Sequence, residues 1–215
     1  VPTYPITRLA RSVPEGILET ADEEDCDLVL LSWIVRGEQQ GIRMGRVLDP
    51  VIRRAPCDVA VVAFHSEYIN AIALDTSSRQ AERDDKQISA DDPGKLHIDN
   101  ILVPTAGGPH APLATRLAIL LANEFDASMN VVYVVDPDAT EEQLTQGHSW
   151  IDQTINTMRE QVSSFTAAED KTFDFDQLPF ARQVVQAESV VDGIAQAGSE
   201  SDLVFIGASE VSLID

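Results

Sequence analysis

Short apolar, β-branched runs alternate along this chain with longer segments of helical periodicity, and this alternation constrains the fold most strongly. Such runs are typical of strands buried on both faces of a parallel sheet. Strands that alternate with helices predict right-handed βαβ units, and therefore a parallel-sheet α/β sandwich. The predicted strands are 28–33, 58–64, 100–105, 129–135 and 202–208, and the predicted helices are 13–24, 44–54, 109–125, 141–165 and 189–197.

An internal repeat indicates two related domains. SVPEGILETADEEDCDLVLLSW, which begins at Ser12, resembles SVVDGIAQAGSESDLVFIGA, which begins at Ser189. Both segments pass from a serine-capped helix through an acidic turn into an apolar strand. Between the two copies, residues 65–98 are polar and charged, which predicts an acidic linker. We therefore assign residues 1–64 to a first repeat and residues 99–215 to a second.

The charge excludes one large class of function. The chain carries 36 acidic and 15 basic residues, for a net charge of −21, so its surface repels phosphate backbones and nucleic-acid binding is not expected. Only three of the basic residues are lysines, a composition typical of salt-loving organisms. Stability should rise in molar potassium chloride as repulsion is screened.

The same composition points to a cytoplasmic location. No apolar run reaches the roughly 18 residues that span a bilayer, and the first residues lack a signal-peptide pattern. Cys26 and Cys57 are too few for a disulfide framework, and each lies beside an apolar stretch where a small buried thiol fits. We expect the chain to be cytoplasmic, and to lie on the cytoplasmic side of the membrane if it is the tail of a transporter.

Three segments carry a family resemblance. ILVPTAGGPHA (101–111), the helix with SVPEGI or SVVDGI before each DLV strand, and MGRVLDPVIRRAPCDVAVV (44–62) resemble the first strand, third helix and closing segment of universal stress protein domains. The resemblance implies five parallel strands in the order 3-2-1-4-5. It aligns residues 1–64 with the third to fifth strands of one repeat. Residues 99–215 align with a second repeat that lacks its last helix and strand.

The resemblance also implies a degenerate nucleotide site in the first repeat. Family members that hold ATP carry G-x-x-G, nine residues and then G-S or G-T after the fourth strand, so that backbone amides approach the phosphates. The aligned residues here are Ser32, Val35, Gly45 and Arg46, of which only Gly45 is kept. The branched Cβ of Val35 should block the cradle. Arg46 is either a substitute phosphate donor or a solvated surface group.

The second repeat departs from the family as well. At the end of its first strand, Thr105 is followed by Ala106, where the family commonly has an acidic residue that contacts the nucleotide. Gly107 remains and could expose an amide, although it could equally serve as a turn. After the fourth strand, Gly207 and Ser209 begin the loop, but Glu210 replaces the second glycine and opposes triphosphate. We expect no bound cofactor, with ATP and AMP disfavoured.

Catalytic patterns are missing from the sequence. The four histidines, at 65, 97, 110 and 148, lack metal-ligand spacing, and there is no nucleophile elbow, full P-loop or G-x-G-x-x-G. We therefore expect a protein that is not an enzyme and that holds no metal.

Two functional hypotheses follow from the resemblance. The first is a non-catalytic regulatory or interaction module, because the two repeats are similar to the paired domains in the cytoplasmic tail of archaeal amino-acid permeases. Its partners would be a transporter membrane domain and either a second copy, paired through 58–64, or the other repeat of the same chain. The alternative is a free-standing, ATP-binding stress protein with slow ATP hydrolysis.

Overall fold

A computed structural model describes residues 3–34, 45–64, 97–106, 111–166 and 174–207. Within it the chain divides into two compact units, Val1–Lys95 and Leu96–Asp215. We call them the first and second units. The α/β class with parallel sheets, predicted from the alternation of strands and helices, is confirmed in both.

The described residues of the first unit form two helices and two strands. They are α1 (Val13–Glu23), β1 (Leu28–Ile34), α2 (Gly45–Arg54) and β2 (Asp58–Phe64). β1 and β2 are parallel, with Leu28 opposite Asp58. The two helices pack against each other. Among the side chains described in this unit, the buried apolar ones are those of Leu18, Ala21, Leu48 and Val51.

The second unit contains a larger sheet. Its elements are β3 (Asn100–Pro104), α3 (Ala111–Phe125), β4 (Ser128–Val135), α4 (Glu141–Thr166), β5 (Phe180–Gln186), α5 (Val190–Ala197) and β6 (Leu203–Val204). The strands are all parallel and lie in the order β5-β4-β3-β6. Numbered within the repeat, this order is 3-2-1-4, as predicted.

Two apolar clusters cover the faces of this sheet. The larger one joins one face to α3 and α4, through buried residues such as Ile101, Met129, Ile151 and Met158. The smaller one, formed by Leu102, Val132 and Val185, packs against Ile194 and Ala197 at α5. The second unit therefore has a core on both faces of its sheet.

Some predicted elements differ from the structure. The alternation missed β5, whose residues are mostly exposed and whose sequence FARQVVQ lacks a continuous apolar run. Of the strand predicted at 202–208, only Leu203–Val204 form a strand among the described residues, which end at 207. Residues 3–12, which the resemblance aligned with a third strand, form no strand. A third strand in the order 3-2-1-4-5 pairs only with a second strand, and the strands described in the first unit, β1 and β2, align with the fourth and fifth.

The N-terminal segment is instead tied to α1 by polar contacts. The Arg8 guanidinium donates to the Glu23 carboxylate at 2.6 and 2.5 Å and to Glu19 at 3.1 Å. These hydrogen bonds hold the pKa of the Glu23 carboxyl below its ordinary value. The segment therefore lies along the helix rather than in the sheet.

Two helix-to-strand turns contain aspartate in the left-handed backbone region. Asp25, after α1, has φ 50°, and Asp126, after α3, has φ 56°. Glycine is the usual residue there, because a Cβ crowds the backbone at positive φ.

The two cysteines lie in the first unit, half-buried and free. Burial raises the pKa of the Cys57 thiol. Among the helices of the described ranges, none has both the length and the apolar character needed to cross a membrane.

Candidate functional site

The predicted cradle of the first repeat begins at β1 and ends at α2. Ser32 lies within β1 with an exposed side chain. Val35 lies outside the described residues, so its expected blocking role stays a prediction. Gly45 starts α2 with φ 85°, and a Cβ added there would meet no atom of the described residues within 4 Å. The retained glycine therefore adopts the left-handed backbone that a phosphate cradle uses.

Arg46 follows Gly45 in the first turn of α2. Its side chain is exposed, and it makes no hydrogen bond or ion pair with the rest of the described chain. The first turn of α2 contains no acidic residue to hold it. The guanidinium is therefore open to solvent, which suits either role considered above.

In the second repeat, Thr105 follows the end of β3 and is buried, with 8% of its surface exposed. Its hydroxyl lies 2.6 Å from the Thr154 hydroxyl of α4, which in turn donates to the Trp150 carbonyl at 2.9 Å. Because a hydroxyl has one hydrogen, Thr105 donates to Thr154. The Thr105 amide is also used, in a 2.8 Å hydrogen bond to the Val132 carbonyl. Both the hydroxyl and the amide of Thr105 are thus engaged in hydrogen bonds within the second unit.

Ala106 comes next and is exposed. Its methyl group can neither accept nor donate a hydrogen bond, unlike the acidic residue that the resemblance implies for this place. Gly207 is exposed beyond β6, while Gly107, Ser209 and Glu210 lie outside the described residues. Ser32, Gly45 and Arg46 belong to the first unit, whereas Thr105, Ala106 and Gly207 belong to the second.

A surface depression that the sequence did not predict lies at the carboxyl end of β4. Its volume is about 200 Å³, and its lining includes Tyr133, Asp136, Gln143, Ser189 and Val190. Gln143 accepts a hydrogen bond from the Thr140 amide at 2.8 Å. The Ser189 hydroxyl donates to the Asp192 carboxylate at 2.6 Å and accepts from the Asp192 amide at 3.1 Å. These two polar groups therefore serve local helix capping.

Across the described ranges, no three side chains of histidine, cysteine, aspartate or glutamate form a group that could hold a metal ion. His97 is exposed, with its Nδ1 3.8 Å from an Asp99 carboxylate oxygen, and His148 is exposed on α4. His65 and His110 lie outside the described residues.

Three solved structures resemble parts of this chain. A universal stress protein from Archaeoglobus fulgidus is 12% identical with a TM-score of 0.37, over 52% of this chain and 76% of that one. A universal stress protein in complex with cAMP is 15% identical with a TM-score of 0.38, over 55% and 82%. Universal stress protein UspA from Lactobacillus plantarum is 20% identical with a TM-score of 0.33, over 56% and 86%.

The sequence itself gives the decisive comparison. No protein of curated function has a significantly similar sequence. The model of the universal stress protein family, in contrast, matches residues 1–63 and 97–213. The two matched segments cover most of the chain and leave out much of the predicted linker. On this match, the chain belongs to the universal stress protein family.

Proposed function

We propose that this chain is a non-catalytic regulatory module of the universal stress type, which acts by association and not by turnover of a nucleotide. The observation that carries the proposal is the end of β3. There the Thr105 hydroxyl is directed into the fold by Thr154, and the next side chain is the methyl group of Ala106. A nucleotide at this edge would find no polar side chain from either residue.

Two further features of the chain also oppose a polyphosphate. The chain has a net charge of −21, which repels ATP at low ionic strength. In the first repeat, Ser32 and Arg46 replace residues of the family motif, so the retained Gly45 lacks the hydroxyl that completes an anion cradle.

Binding of ATP with magnesium, measured by isothermal titration calorimetry, tests the proposal. We expect no saturable binding by the unmodified chain at micromolar concentrations. A dissociation constant below about 10 µM, which corresponds to about 7 kcal/mol, would overturn it. Ala106→Asp serves as the matched variant, because it restores, at an exposed position, the acidic residue that the family commonly has there. If the unmodified chain does bind ATP, loss of that binding in Gly45→Ala would identify the first repeat as the site.

A second candidate is supported by the backbone of Gly45. Its φ of 85° is the conformation that exposes amides to an anion. In this candidate the chain is a free-standing ATP-binding stress protein with slow hydrolysis, and Arg46 takes the place of the missing hydroxyl. Saturable ATP binding that is abolished by Arg46→Ala would favour it.

We also propose that the module is the cytoplasmic tail of an amino-acid transporter, whose membrane domain it regulates. The support is the sequence resemblance to the paired domains of archaeal permeases, together with the presence of two units in one chain. The reading frame that encodes the chain tests this proposal. Upstream segments of about 20 apolar residues would support it, and a frame limited to stress domains would overturn it.

Self-association is the remaining part of the proposal. β2 pairs with β1 on one side, and its other edge has no partner strand among the described residues. We propose that this edge pairs two copies. Light scattering in molar potassium chloride should give the mass of a dimer, and a monomer mass at all concentrations would overturn this part.

A further inference from the structure

The two cysteines of the chain lie at the starts of two paired strands in the first unit. Cys26 is two residues before β1, and Cys57 is one residue before β2. β1 and β2 are parallel, with Leu28 opposite Asp58, so one step back along both strands Asp27 comes opposite Cys57. Cys26 is therefore a diagonal neighbour of Cys57 across the strand pair.

This placement brings the two cysteines within the range that a disulfide bridges. Neighbouring strands lie about 4.8 Å apart and each residue advances a strand by about 3.3 Å, so the two Cα atoms should be about 6 Å apart. Disulfides join cysteines whose Cα atoms are about 4.4 to 6.8 Å apart. The pairing of β1 with β2 therefore gives Cys26 and Cys57 a separation that a disulfide can span.

The surroundings of the Cys57 thiol indicate that the two sulfur atoms are close as well. Burial raises the pKa of this thiol most, and Cys26 raises it next, ahead of the carboxyl groups of Asp58 and Asp27. Asp58 adjoins Cys57 in the sequence, and Asp27 comes opposite it. Because the effect of a charge falls with distance, this order indicates that the Cys26 sulfur lies at least as near to Cys57 as either carboxyl group.

The turn before β1 fixes the backbone of Cys26. The Asp25 amide donates to the Asp22 carbonyl at 3.3 Å, and the Cys26 amide donates to the Ala21 carbonyl at 2.9 Å. With Asp25 at φ 50°, these two hydrogen bonds form a Schellman motif at the end of α1. Both Cys26 and Cys57 are thus held in place by regular structure. Their thiols are unbonded and only half-buried, so an oxidant in the solvent can reach them.

We propose that Cys26 and Cys57 are a redox pair, which a small-molecule disulfide oxidises to an internal disulfide of the first unit. The bond closes a loop of residues 27–56, which contains β1, α2 and the predicted cradle residues Gly45 and Arg46. Oxidation therefore restrains this segment, and reduction releases it. This regulation requires neither a bound nucleotide nor a transporter.

The oxidation consists of two thiol–disulfide exchanges. One cysteine loses its proton to water, and its thiolate attacks the small disulfide and releases one small thiolate. The other cysteine then loses its proton, attacks the protein sulfur of the mixed disulfide and releases the second small thiolate. In total the two protein thiols lose two electrons and two protons, and the small disulfide is reduced to two thiols. An excess of the small thiol reverses the reaction.

The effective concentration of the two thiols tests whether the fold brings them together. The unmodified chain is equilibrated with mixtures of oxidised and reduced glutathione in molar potassium chloride, alkylated, and mapped as unreduced peptides by mass spectrometry. We expect a disulfide between Cys26 and Cys57 whose effective concentration is at least about tenfold higher in the native chain than in the same chain in urea. An equal or lower value in the native chain would overturn the proposal, because the fold would then not favour the bond.

Cys26→Ser and Cys57→Ser are the matched controls, because each leaves one thiol in its own surroundings. Each variant should take up one glutathione as a mixed disulfide, whereas the unmodified chain should retain none once its internal disulfide has formed. Stable glutathione adducts on both cysteines of the folded chain would contradict the pairing. Disulfide-linked dimers in place of the internal bond would contradict it equally.

Hydrogen exchange shows whether the bond restrains the segment that it encloses. Backbone amides of α2 should exchange at least about tenfold more slowly in the oxidised chain than in the reduced chain. The amides of α4 belong to the second unit and should be unchanged, so they serve as the internal control. Unchanged exchange of α2 in a fully oxidised chain would show that the disulfide does not restrain residues 27–56.

Discussion

The two copies of the repeat form nearly identical helix starts but very different strands. Ser12 and Ser189 precede their helices with φ and ψ of −149° and 159° and of −143° and 157°. Yet Leu30 is 64% exposed, while its counterpart Phe205 is half-buried. The helix start depends on residues within one turn, whereas the burial of a strand depends on what lies beside it. Among the described residues, the repeat therefore has the same local structure in both units, while the strand that follows the helix is better covered in the second.

The largest difference between the units should appear when an isoleucine on a helix is truncated. Ile151 on α4 is fully buried, and Ile52 on α2 is 38% exposed. We expect Ile151→Ala to lower the free energy of unfolding by about 2 to 5 kcal/mol, because it removes buried methyl groups and leaves a cavity. Ile52→Ala should cost less than about 1 kcal/mol. Urea denaturation measures both, and equal losses would show that the two units are packed alike.

Equivalent glycines of the two capped helices give the second test. A Cβ at Gly193 would lie 2.5 Å from Val134 Cγ1, whereas a Cβ at Gly16 would meet the Ala10 methyl group at 3.2 Å. Gly193→Ala should therefore lower the free energy of unfolding by about 1 to 3 kcal/mol through overpacking. For Gly16→Ala we expect a change below about 1 kcal/mol, because the gain in helix propensity offsets the contact. Thermal unfolding of both variants checks the difference, and a stabilising Gly193→Ala would contradict it.

The smallest effect should come from the two capping serines. Ser189 accepts from the Asp192 amide at 3.1 Å and donates to its carboxylate, while Ser12 accepts from the Glu15 amide at 3.4 Å. We expect Ser189→Ala to cost about 1 kcal/mol and Ser12→Ala about 0.5 kcal/mol. Denaturant midpoints at constant salt would reveal this order. The reverse order would show that capping geometry does not distinguish the helices.

Elements with a strong local pattern were predictable. The apolar run DVAVVAF gave the bounds of β2, and Ser12 and Ser189 marked the starts of two helices. β5 was missed because it is an edge strand. Little of its surface is buried, so its sequence FARQVVQ shows neither a continuous apolar run nor a clear alternation. The extent of β6 was overestimated, because DLVFIGA has the composition of a strand along its full length. The length over which a strand pairs depends on the neighbouring strand, and the sequence of one segment does not contain that information.

The candidate site was predictable only in part. The departures at Ser32, Arg46 and Ala106 are visible in the sequence, because a motif names the residue expected at each place. The engagement of Thr105 by Thr154 is not, since the two threonines are 49 residues apart and meet only when α4 packs on the sheet. The surface depression at Asp136 and Ser189 likewise depends on two elements brought together by the fold.

Acidic residues occupy even the backbone positions of this protein where glycine is usual, as the two aspartates at positive φ show. Asp25 and Asp126 occupy turn positions where glycine would relieve the crowding of a Cβ, and both side chains are exposed to solvent. Each turn thus exchanges some backbone strain for a hydrated carboxylate. Replacing either aspartate with glycine would remove both a negative charge and a strained backbone conformation, without changing either core. These two turns are therefore the first positions to change in a variant meant to stay folded at low ionic strength.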